Sequence, residues 1–325
     1  MRMSGAQRCS QRHGVTGSDV GSSRPSWIQM QFRVDSLGLS GGITQVLRDL
    51  IHQRLGLFYE ANQFDQLADR LAPLVVARGF GSFMDYYYFL KYSDERDEWT
   101  KVMDALAVHE TYFWREIDQL RALVEVVVPQ FVRRGASSLK IWSVPCSTGE
   151  EPLTLAMLLT EAGWFNRLPI EVMASDASPE AIADARAGRY GQRSFRNLPP
   201  AMREKYFVPH DNKWSVDPEL QRRVSYDVVN LVDEDQVHRH ASAPIVVCRN
   251  VFIYFSEASI RRALGVFERA MPVPGYLCVG ASESLLRRTV AFELQDIGGA
   301  FMYVKDAPPS GHHPDPRLSG VERVS

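Results

Sequence analysis

Residues 141–152 read IWSVPCSTGEEP and contain the clearest indication of the fold. The apolar run Ile141–Val144 predicts a strand, and the residues after the turn predict a helix. An open parallel sheet binds its ligand at such a strand end. The turn holds one glycine, Gly149, whereas a pyrophosphate-binding turn needs G-x-G-x-x-G. The adjacent Glu150 and Glu151 would repel phosphates. They favour a cationic or amine-bearing ligand, or they merely complement the helix dipole.

Short apolar runs and helical patterns alternate along the chain from residue 139 onward. The apolar runs are Ile141–Val144, Glu171–Ser175, Ile245–Cys248 and Tyr276–Gly280. The helical patterns lie at Pro152–Ala162, Pro179–Ala187 and Ala258–Met271. Alternation of this kind predicts a parallel sheet with crossover helices, and therefore a doubly wound α/β domain.

The second and third apolar runs end in polar residues that suit a nucleoside. Asp176 closes the second run, where an acid can accept hydrogen bonds from both ribose hydroxyls. Arg249 and Asn250 follow the third run, and an arginine there is costly to bury without a partner, which indicates a pocket. A nucleoside without a pyrophosphate fits these residues and the acidic turn, and S-adenosylmethionine is the common ligand of that kind.

Two further regions have patterns of their own. Residues 44–107 are predicted to be helical, because apolar residues recur at helical spacing without strand-like alternation. Within this region, Pro73 is expected to end or kink the second helix. The segment Lys205–Val228 predicts a short antiparallel β insertion, since aromatic and β-branched residues flank a polar turn there.

Composition and charge limit the classes of function. The 325 residues are 45% hydrophobic, and 37 Lys and Arg against 39 Asp and Glu give a formal net charge of −2. Nucleic acid is therefore not a predicted partner. Four cysteines without a C-x-x-C pair argue against a metal site, and no apolar run is long enough to insert into a membrane. Residues 1–30 and 306–325 are predicted to be a disordered extension and tail.

Six blocks of sequence resemble CheR-type chemotaxis protein methyltransferases, over roughly Thr44–Lys305. The blocks are HETYFWRE (109–116), IWSVPCSTGEEP (141–152), ASDASPEAIADARAGRY (174–190), VNL (229–231), CRNVFIYF (248–255) and GASESL (280–285). The resemblance implies a class I methyltransferase domain, with a Rossmann-like doubly wound sheet, and a small all-helical N-terminal domain. The helical domain is expected at 31–115, and the methyltransferase domain at 116–305 with its β insertion at about 205–228.

The resemblance also implies a reaction and its residues. Such enzymes transfer a methyl group from S-adenosylmethionine to glutamate side chains of methyl-accepting chemotaxis proteins, which gives glutamyl methyl esters and S-adenosylhomocysteine. Carried over by motif, the cofactor-binding residues are His109, Thr111, Arg115, Glu151, Asp176, Asn230, Leu231, Arg249 and Asn250. Arg115 and Tyr254 are the implied catalytic residues, and no metal is expected. A glutamate with a pKa of about 4.3 is already ionised at neutral pH, so no general base is required.

The implied partner is an acidic helical region of a chemotaxis receptor or related signalling protein, and the enzyme is expected to be cytoplasmic and monomeric. In the family, basic docking residues lie on a helix that corresponds to Phe64–Gly79, which here keeps only Arg70 and Arg78. Two alternatives stay open: a same-fold methyltransferase with another acceptor protein, and a non-catalytic S-adenosylmethionine-binding module. A nitrogen acceptor is disfavoured, because Arg249–Phe252 replaces the Asn/Asp-Pro-Pro-aromatic signature of such enzymes.

Overall fold

The computed structural model describes residues 37, 41–93, 95–286, 288–289 and 291–306. The extension predicted at 1–30 lies outside the described residues, as does the tail predicted at 306–325 apart from its first residue. Within the part of the chain that is described, no helix is long and apolar enough to cross a membrane.

The described part of the predicted helical region holds four α-helices around a core of their own. They are α1 (Gly41–Leu55), α2 (Phe64–Ala77), α3 (Phe83–Tyr92) and α4 (Arg96–Leu106). Each helix buries one apolar stripe, as its sequence spacing predicts. Residues at the centre of this core include Leu47, Ile51, Leu67, Leu71, Val75, Tyr86, Leu90 and Val102.

Pro73 does not end α2, which runs on to Ala77. Proline removes one N–H from a helix and leaves a carbonyl of the preceding turn without its partner. Pro73 lies on the exposed side of α2, where water can bind that carbonyl, while Ala72 and Val75 beside it are buried. Burial of the apolar side therefore outweighs the local cost of the proline.

A seven-stranded sheet forms the centre of the remaining chain. Its strands are β1 (Leu139–Ser143), β2 (Ile170–Asp176), β6 (Val224–Val228), β7 (Ile245–Val247), β8 (Gly275–Cys278), β9 (Glu293–Ile297) and β10 (Ala300–Lys305). The order is β6-β2-β1-β7-β8-β10-β9, in which the first five strands are parallel and β10 is antiparallel to both neighbours. The direction of winding therefore switches between β1 and β7, where an open sheet of this type binds its ligand.

Helices cover both faces of this sheet. They are α5 (Ile117–Ala122), α6 (Val128–Arg133), α7 (Glu150–Glu161), α8 (Pro179–Ala187), α9 (Pro200–Tyr206), α10 (Pro218–Gln221), α11 (Glu234–His240) and α12 (Glu257–Ala270), with a π-helical turn at Leu123–Val127 between α5 and α6. Alternate residues of β1 face opposite cores: Ile141 lies in the cluster with α7, and Trp142 lies in the cluster with α12. The predicted doubly wound α/β fold is confirmed.

A smaller antiparallel sheet lies between β2 and β6 in the chain. Its order is β3-β5-β4, formed by β3 (Arg189–Tyr190), β5 (Lys213–Val216) and β4 (Phe207–His210). The predicted antiparallel insertion is confirmed, but its strands do not follow the bounds 205–228. β3 precedes this range, and Val224–Val228 at its end is β6 of the central sheet, parallel to β2. The alternation of Val224 and Tyr226 suits either sheet, so the sequence does not decide the neighbour.

Candidate functional site

The turn between β1 and α7 depends on its glycine. Gly149 has a φ of +96°, and a Cβ atom there would lie 3.1 Å from the Ala185 Cβ and 3.2 Å from the Tyr226 hydroxyl. A side chain would therefore be strained in conformation and crowded by its neighbours. The turn also holds Ser147 in the left-handed region, with a φ of 48°, and the backbone N–H of this serine contacts the end of β2.

Asp176 ends β2 and ties that strand to the turn. Its Oδ2 accepts the N–H of Ser147 at 2.8 Å, and its Oδ1 accepts the N–H of Ser178 at 2.9 Å. Burial raises the pKa of the Asp176 carboxyl, and the two N–H groups oppose the rise. A carboxylate offers about four acceptor positions, so Asp176 can accept further hydrogen bonds from a ligand.

Arg249 follows β7 and is almost completely buried. Its Nε lies 2.9 Å from Oε2 of Glu151. The two groups form an ion pair, but the Nε–H does not point at the oxygen and makes no hydrogen bond to a described residue. The other two guanidinium nitrogens donate to the backbone carbonyls of Arg115 at 2.7 Å and Glu116 at 3.1 Å. Burial raises the pKa of the Glu151 carboxyl, and the Arg249 charge opposes this. Arg249 therefore fixes the backbone that carries Arg115.

The segment 109–116 passes from the helical region to α5 along the same strand ends. Its anchor is Phe113, whose ring centroid lies 4.8–5.4 Å from those of three aromatic residues around the small sheet. Trp114 and Glu116 have φ values of 68° and 46°, which cost free energy for residues other than glycine. Ser147 and Asn250 share this feature. Backbone strain is therefore concentrated in the segments around one site.

A buried carboxylate outside the predicted set organises the segment after β7. Glu283 accepts four backbone N–H groups, from Phe252 (2.7 Å) and Ile253 (3.3 Å) at Oε1 and from Asn250 (2.7 Å) and Gly280 (2.8 Å) at Oε2. The sequence signal was a glutamate among small residues after a buried strand, which by itself assigns no role.

Two adjoining cavities open at the carboxyl ends of the central strands. The larger has a volume of about 470 Å³ and the smaller about 70 Å³. Val108, Pro145, Asp176 and Asn250 line both cavities and therefore form the boundary between them. The larger volume falls within the range of about 300–1,000 Å³ that is usual for small-molecule sites.

Every predicted site residue lines one of these cavities. The larger is lined by His109, Asp176, Asn230, Leu231, Asn250 and Tyr254. The smaller is lined by Thr111, Arg115, Glu151, Asp176, Arg249 and Asn250. The structure thus brings the predicted set to one place, but it separates the implied catalytic pair, because Arg115 and Tyr254 line different cavities.

The helical region supplies a wall of the larger cavity, formed by residues outside the predicted site set. Its contributions include Tyr59, Gln63, Gln66 and Arg70. Two hydrogen bonds fix this wall to the sheet domain: the Phe58 N–H donates to the Tyr254 carbonyl, and the Asn230 side chain donates to the Arg54 carbonyl, both at 2.9 Å. These contacts join residues far apart in the chain, so no local pattern reports them.

Both arginines of the α2 region bond within the helical domain. Arg70 donates to the Leu106 carbonyl at 2.8 Å. Arg78 pairs with Glu95 at 2.6 Å and with the buried Glu98 at 2.7 Å. Arg70 therefore bonds to the domain's own backbone, and the Arg78 charge is balanced by two carboxylates, so α2 offers little positive charge to a partner.

The residues present fit S-adenosylmethionine. Asp176, at the boundary, has acceptor positions for ribose hydroxyls, and Leu231 gives the larger cavity an apolar wall for a base. The smaller cavity holds the Glu151 carboxylate and the Arg115 guanidinium, which complement the amino and carboxyl groups of an amino acid. Among the residues that the structure describes, no three His, Cys, Asp or Glu side chains are grouped to hold a metal ion.

Comparison with known proteins gives matches along both parts of the chain. The family model described as CheR methyltransferase, SAM binding domain, matches residues 109–298, and the CheR methyltransferase all-alpha domain matches residues 44–107. Chemotaxis protein methyltransferase 2 of Vibrio cholerae is 33% identical over 79% of this chain and 91% of that protein. The chemotaxis protein methyltransferase of Salmonella typhimurium is 30% identical over 80% and 89%. A probable biofilm formation methyltransferase of Pseudomonas putida is 31% identical over 78% and 60%.

These matches confirm the resemblance that the six sequence blocks predicted. Together with the sheet order, they identify the fold as a class I methyltransferase with an all-helical N-terminal domain. The matched SAM binding domain contains every residue of the predicted site. The chain therefore belongs to the CheR methyltransferase family and carries that family's S-adenosylmethionine-binding domain at residues 109–298.

Proposed function

We propose that this protein transfers the methyl group of S-adenosylmethionine to glutamate carboxylates of a chemotaxis receptor or related signalling protein. The products are glutamyl methyl esters and S-adenosylhomocysteine. The observation that carries the proposal is the pair of cavities divided by Asp176 and Asn250, one sized for a nucleoside and one charged for an amino acid. The chemotaxis protein methyltransferases among the relatives support the class of acceptor.

The proposed cofactor site uses both cavities. Asp176 accepts hydrogen bonds from the ribose, and Asn230 and Leu231 border the base. Arg115, Glu151 and Thr111 border the amino acid part in the smaller cavity. His109 lines the larger cavity and contacts Ser147 in the turn after β1. When bound, the cofactor supplies an electrophilic methyl group, and the task of the chain is to hold the acceptor in line with it.

The proposed chemistry needs positioning rather than a general base. An acceptor glutamate with a pKa of about 4.3 is already an ionised nucleophile at neutral pH. Arg115 has five N–H donors, and one of them bonds to the Glu110 carbonyl at 2.6 Å, so donors remain for a carboxylate. Tyr254, held through its backbone by Phe58, is proposed to orient the acceptor from the other side of the boundary.

Positive charge around the small antiparallel sheet supports an acidic acceptor. Residues 186–223 carry nine Lys and Arg against four Asp and Glu, in a chain whose formal net charge is −2. The basic residues are Arg186, Arg189, Arg193, Arg196, Arg203, Lys205, Lys213, Arg222 and Arg223, and the acidic residues are Glu204, Asp211, Asp217 and Glu219. We call the nine basic residues the basic face. Arg193, Arg196 and Lys205 pair with Glu110 and Glu161 outside this range, which leaves a positive excess, and we infer that the basic face meets the acceptor in place of α2.

The basic face reaches the entrance of the smaller cavity. Arg193 and Arg196 pair with Glu110 at 2.8 Å and 3.0 Å, and the Arg196 guanidinium lies 3.6 Å from the centre of the Tyr112 ring. Glu110 and Tyr112 line that cavity beside Arg115. An acidic segment that contacts the two arginines would therefore lie next to the proposed site of transfer.

Labelling tests the proposal. The purified protein is incubated with S-adenosylmethionine labelled in the methyl group and with a lysate of the source cells. We expect one protein of the lysate to become labelled and to release labelled methanol in mild alkali, as a methyl ester does. A label that resists alkali would contradict glutamate as the acceptor, and cofactor binding without any labelled protein would favour a non-catalytic module. Identification of the labelled protein distinguishes a chemotaxis receptor from another signalling protein.

A further inference from the structure

We infer that Glu283 is a positioning residue, whose carboxylate sets the conformation of the segment Asn250–Tyr254. Four backbone N–H groups from two separate segments converge on its two oxygens. The residue is only 7% exposed. The inference rests on the proposed function, because the part played by Tyr254 belongs to that proposal.

The charge of Glu283 is held by backbone groups. Burying a carboxylate is costly unless donors replace the water that it loses. Glu283 accepts two N–H groups at each oxygen, which uses all of its about four acceptor positions. No acceptor position is left for a ligand, so Glu283 acts through the segments that it holds.

The segment held by Glu283 needs an external acceptor. β7 ends at Val247, and the following residues leave the sheet, where backbone N–H groups lack ladder partners. Asn250 has a left-handed φ of 60°, and Phe252–Tyr254 form a single 3-10 turn. Without the carboxylate, the N–H groups of residues 250, 252 and 253 would lose their acceptor, and neither conformation would be held in place. Asn250 borders both cavities and Tyr254 lines the larger. The carboxylate therefore positions one residue of the proposed cofactor site and the residue proposed to orient the acceptor.

Gly280 packs closely against the same segment and allows a second, independent test. A Cβ atom at Gly280 would lie 2.5 Å from Nδ2 of Asn250 and 3.0 Å from Oε2 of Glu283. The adjacent N–H of Ala281 donates to Oε2 of Glu116 at 3.1 Å, beside Arg115. The loop 280–283 therefore joins the Asn250–Tyr254 segment to the segment that carries Arg115.

The first test compares two buried glutamates. Glu283→Gln sets an amide N–H₂ against two N–H donors, so we expect S-adenosylhomocysteine affinity to fall at least about fivefold and kcat at least about tenfold. Glu98→Gln is the matched control, since Glu98 is 1% exposed and bonded to Tyr86 and Arg78 inside the helical core. The control should lower the unfolding temperature but leave kcat unchanged. Equal kcat values in Glu283→Gln and the wild type would overturn the inference.

A double-mutant cycle separates positioning from general stability. Tyr254→Phe alone should lower kcat with little change in cofactor affinity. In that background Glu283→Gln should lower kcat by a clearly smaller factor than in the wild type, because part of its effect acts through the missing hydroxyl. The same factor in both backgrounds would mean that Glu283 does not position Tyr254.

A second variant covers the case in which Glu283→Gln does not fold. Gly280→Ala places a methyl group 3.0 Å from Oε2 of Glu283 and 2.5 Å from Nδ2 of Asn250. It should shift the carboxylate away from the segment Asn250–Tyr254 and so weaken S-adenosylhomocysteine binding measured by calorimetry. Unchanged affinity in the folded Gly280→Ala protein would contradict the inference. Calorimetry uses no acceptor, so this result is independent of whether methyl esters form. If the wild type forms no methyl ester, the proposed function is contradicted instead.

Discussion

The Nε atom of Arg249 lies 2.9 Å from Oε2 of Glu151, and the Arg249 side chain is 1% exposed. The same guanidinium donates to the carbonyls of Arg115 and Glu116. One buried side chain therefore joins the end of β7, the first turn of α7 and the segment before α5. The smaller cavity lies between these three segments, so its shape depends on Arg249.

Replacing Arg249 by lysine should disturb this junction without removing the charge. Lysine lacks the planar fork that reaches two carbonyls at once. We expect S-adenosylhomocysteine affinity to fall about tenfold, and the free energy of unfolding to fall by about 1.5–3 kcal/mol for a lost charged hydrogen bond. Calorimetry and urea unfolding measure the two effects. Arg261→Lys, on the exposed side of α12, is the control. Wild-type affinity in Arg249→Lys would refute this account of the junction.

Asp176→Ala should weaken S-adenosylmethionine and S-adenosylhomocysteine binding by similar factors. The two ligands share the ribose, and each lost hydrogen bond to a charged group is worth on the order of 1.5–3 kcal/mol. Asp176→Asn should lose less, because one oxygen remains to accept. Titration calorimetry on both ligands gives the comparison. If the alanine variant binds both ligands as the wild type does, Asp176 does not contact the ribose.

Glu150 should make stability depend on pH. Burial raises the pKa of its carboxyl, and the hydroxyls of Thr148 and Ser194 oppose the rise from 2.7 Å and 2.9 Å. The folded state then binds more protons than the unfolded state, so the stabilisation is complete below the ordinary pKa of 4.5 and is lost as pH rises through the folded value. Glu150→Gln removes this titration. The stability of the variant relative to the wild type should therefore increase with pH above 4.5.

Urea unfolding of both proteins across that pH range checks the sign. In Gln, the amide oxygen still accepts from one of the two hydroxyls, and the other hydroxyl can rotate to accept from the N–H₂, so the packing is preserved. A stability difference that stays constant or moves against the variant as pH rises would contradict the buried titration of Glu150.

Charge reversal of Arg193 and Arg196 tests the basic face. The double variant Arg193→Glu and Arg196→Glu should raise KM for the acceptor several-fold at low salt. Because both arginines pair with Glu110, which lines the smaller cavity, KM is measured at saturating S-adenosylmethionine. The difference should shrink as salt screens the charges. Arg261→Glu, outside the basic face, is the control. Methylation rates of the variant and the wild type are compared from low to high salt. Equal KM values in the two proteins would exclude the basic face as the docking surface.

The sequence predicted the parts of the site that lie at strand ends. The turn at Gly149, Asp176 after β2 and Arg249 after β7 are local signals, because the ends of parallel strands converge at one edge of a sheet. The family resemblance added residues that local chemistry does not single out, such as Asn230 and Leu231. Both kinds of prediction depend on residues that are near a recognisable element in the chain.

The rest of the site depends on tertiary contacts. Glu283 acts on backbone N–H groups about thirty residues earlier in the chain, and Tyr59 reaches the cavity from the helical region. The neighbour of β6 was mistaken because one apolar pattern fits two sheets, and the helix α2 continues past Pro73 because burial of its other side outweighs a local rule. Such features depend on which distant surfaces meet, and local sequence patterns do not specify this.

Mass spectrometry of the purified acceptor identifies the side chain that receives the methyl group. The acceptor is incubated with this protein and S-adenosylmethionine, digested, and sequenced before and after mild alkali. We expect glutamate residues to gain one methyl group each and alkali to remove it. Asp176→Ala protein at limiting cofactor should yield much less of this ester. A methyl group on lysine, arginine or a backbone nitrogen, or one that survives alkali, would contradict the account.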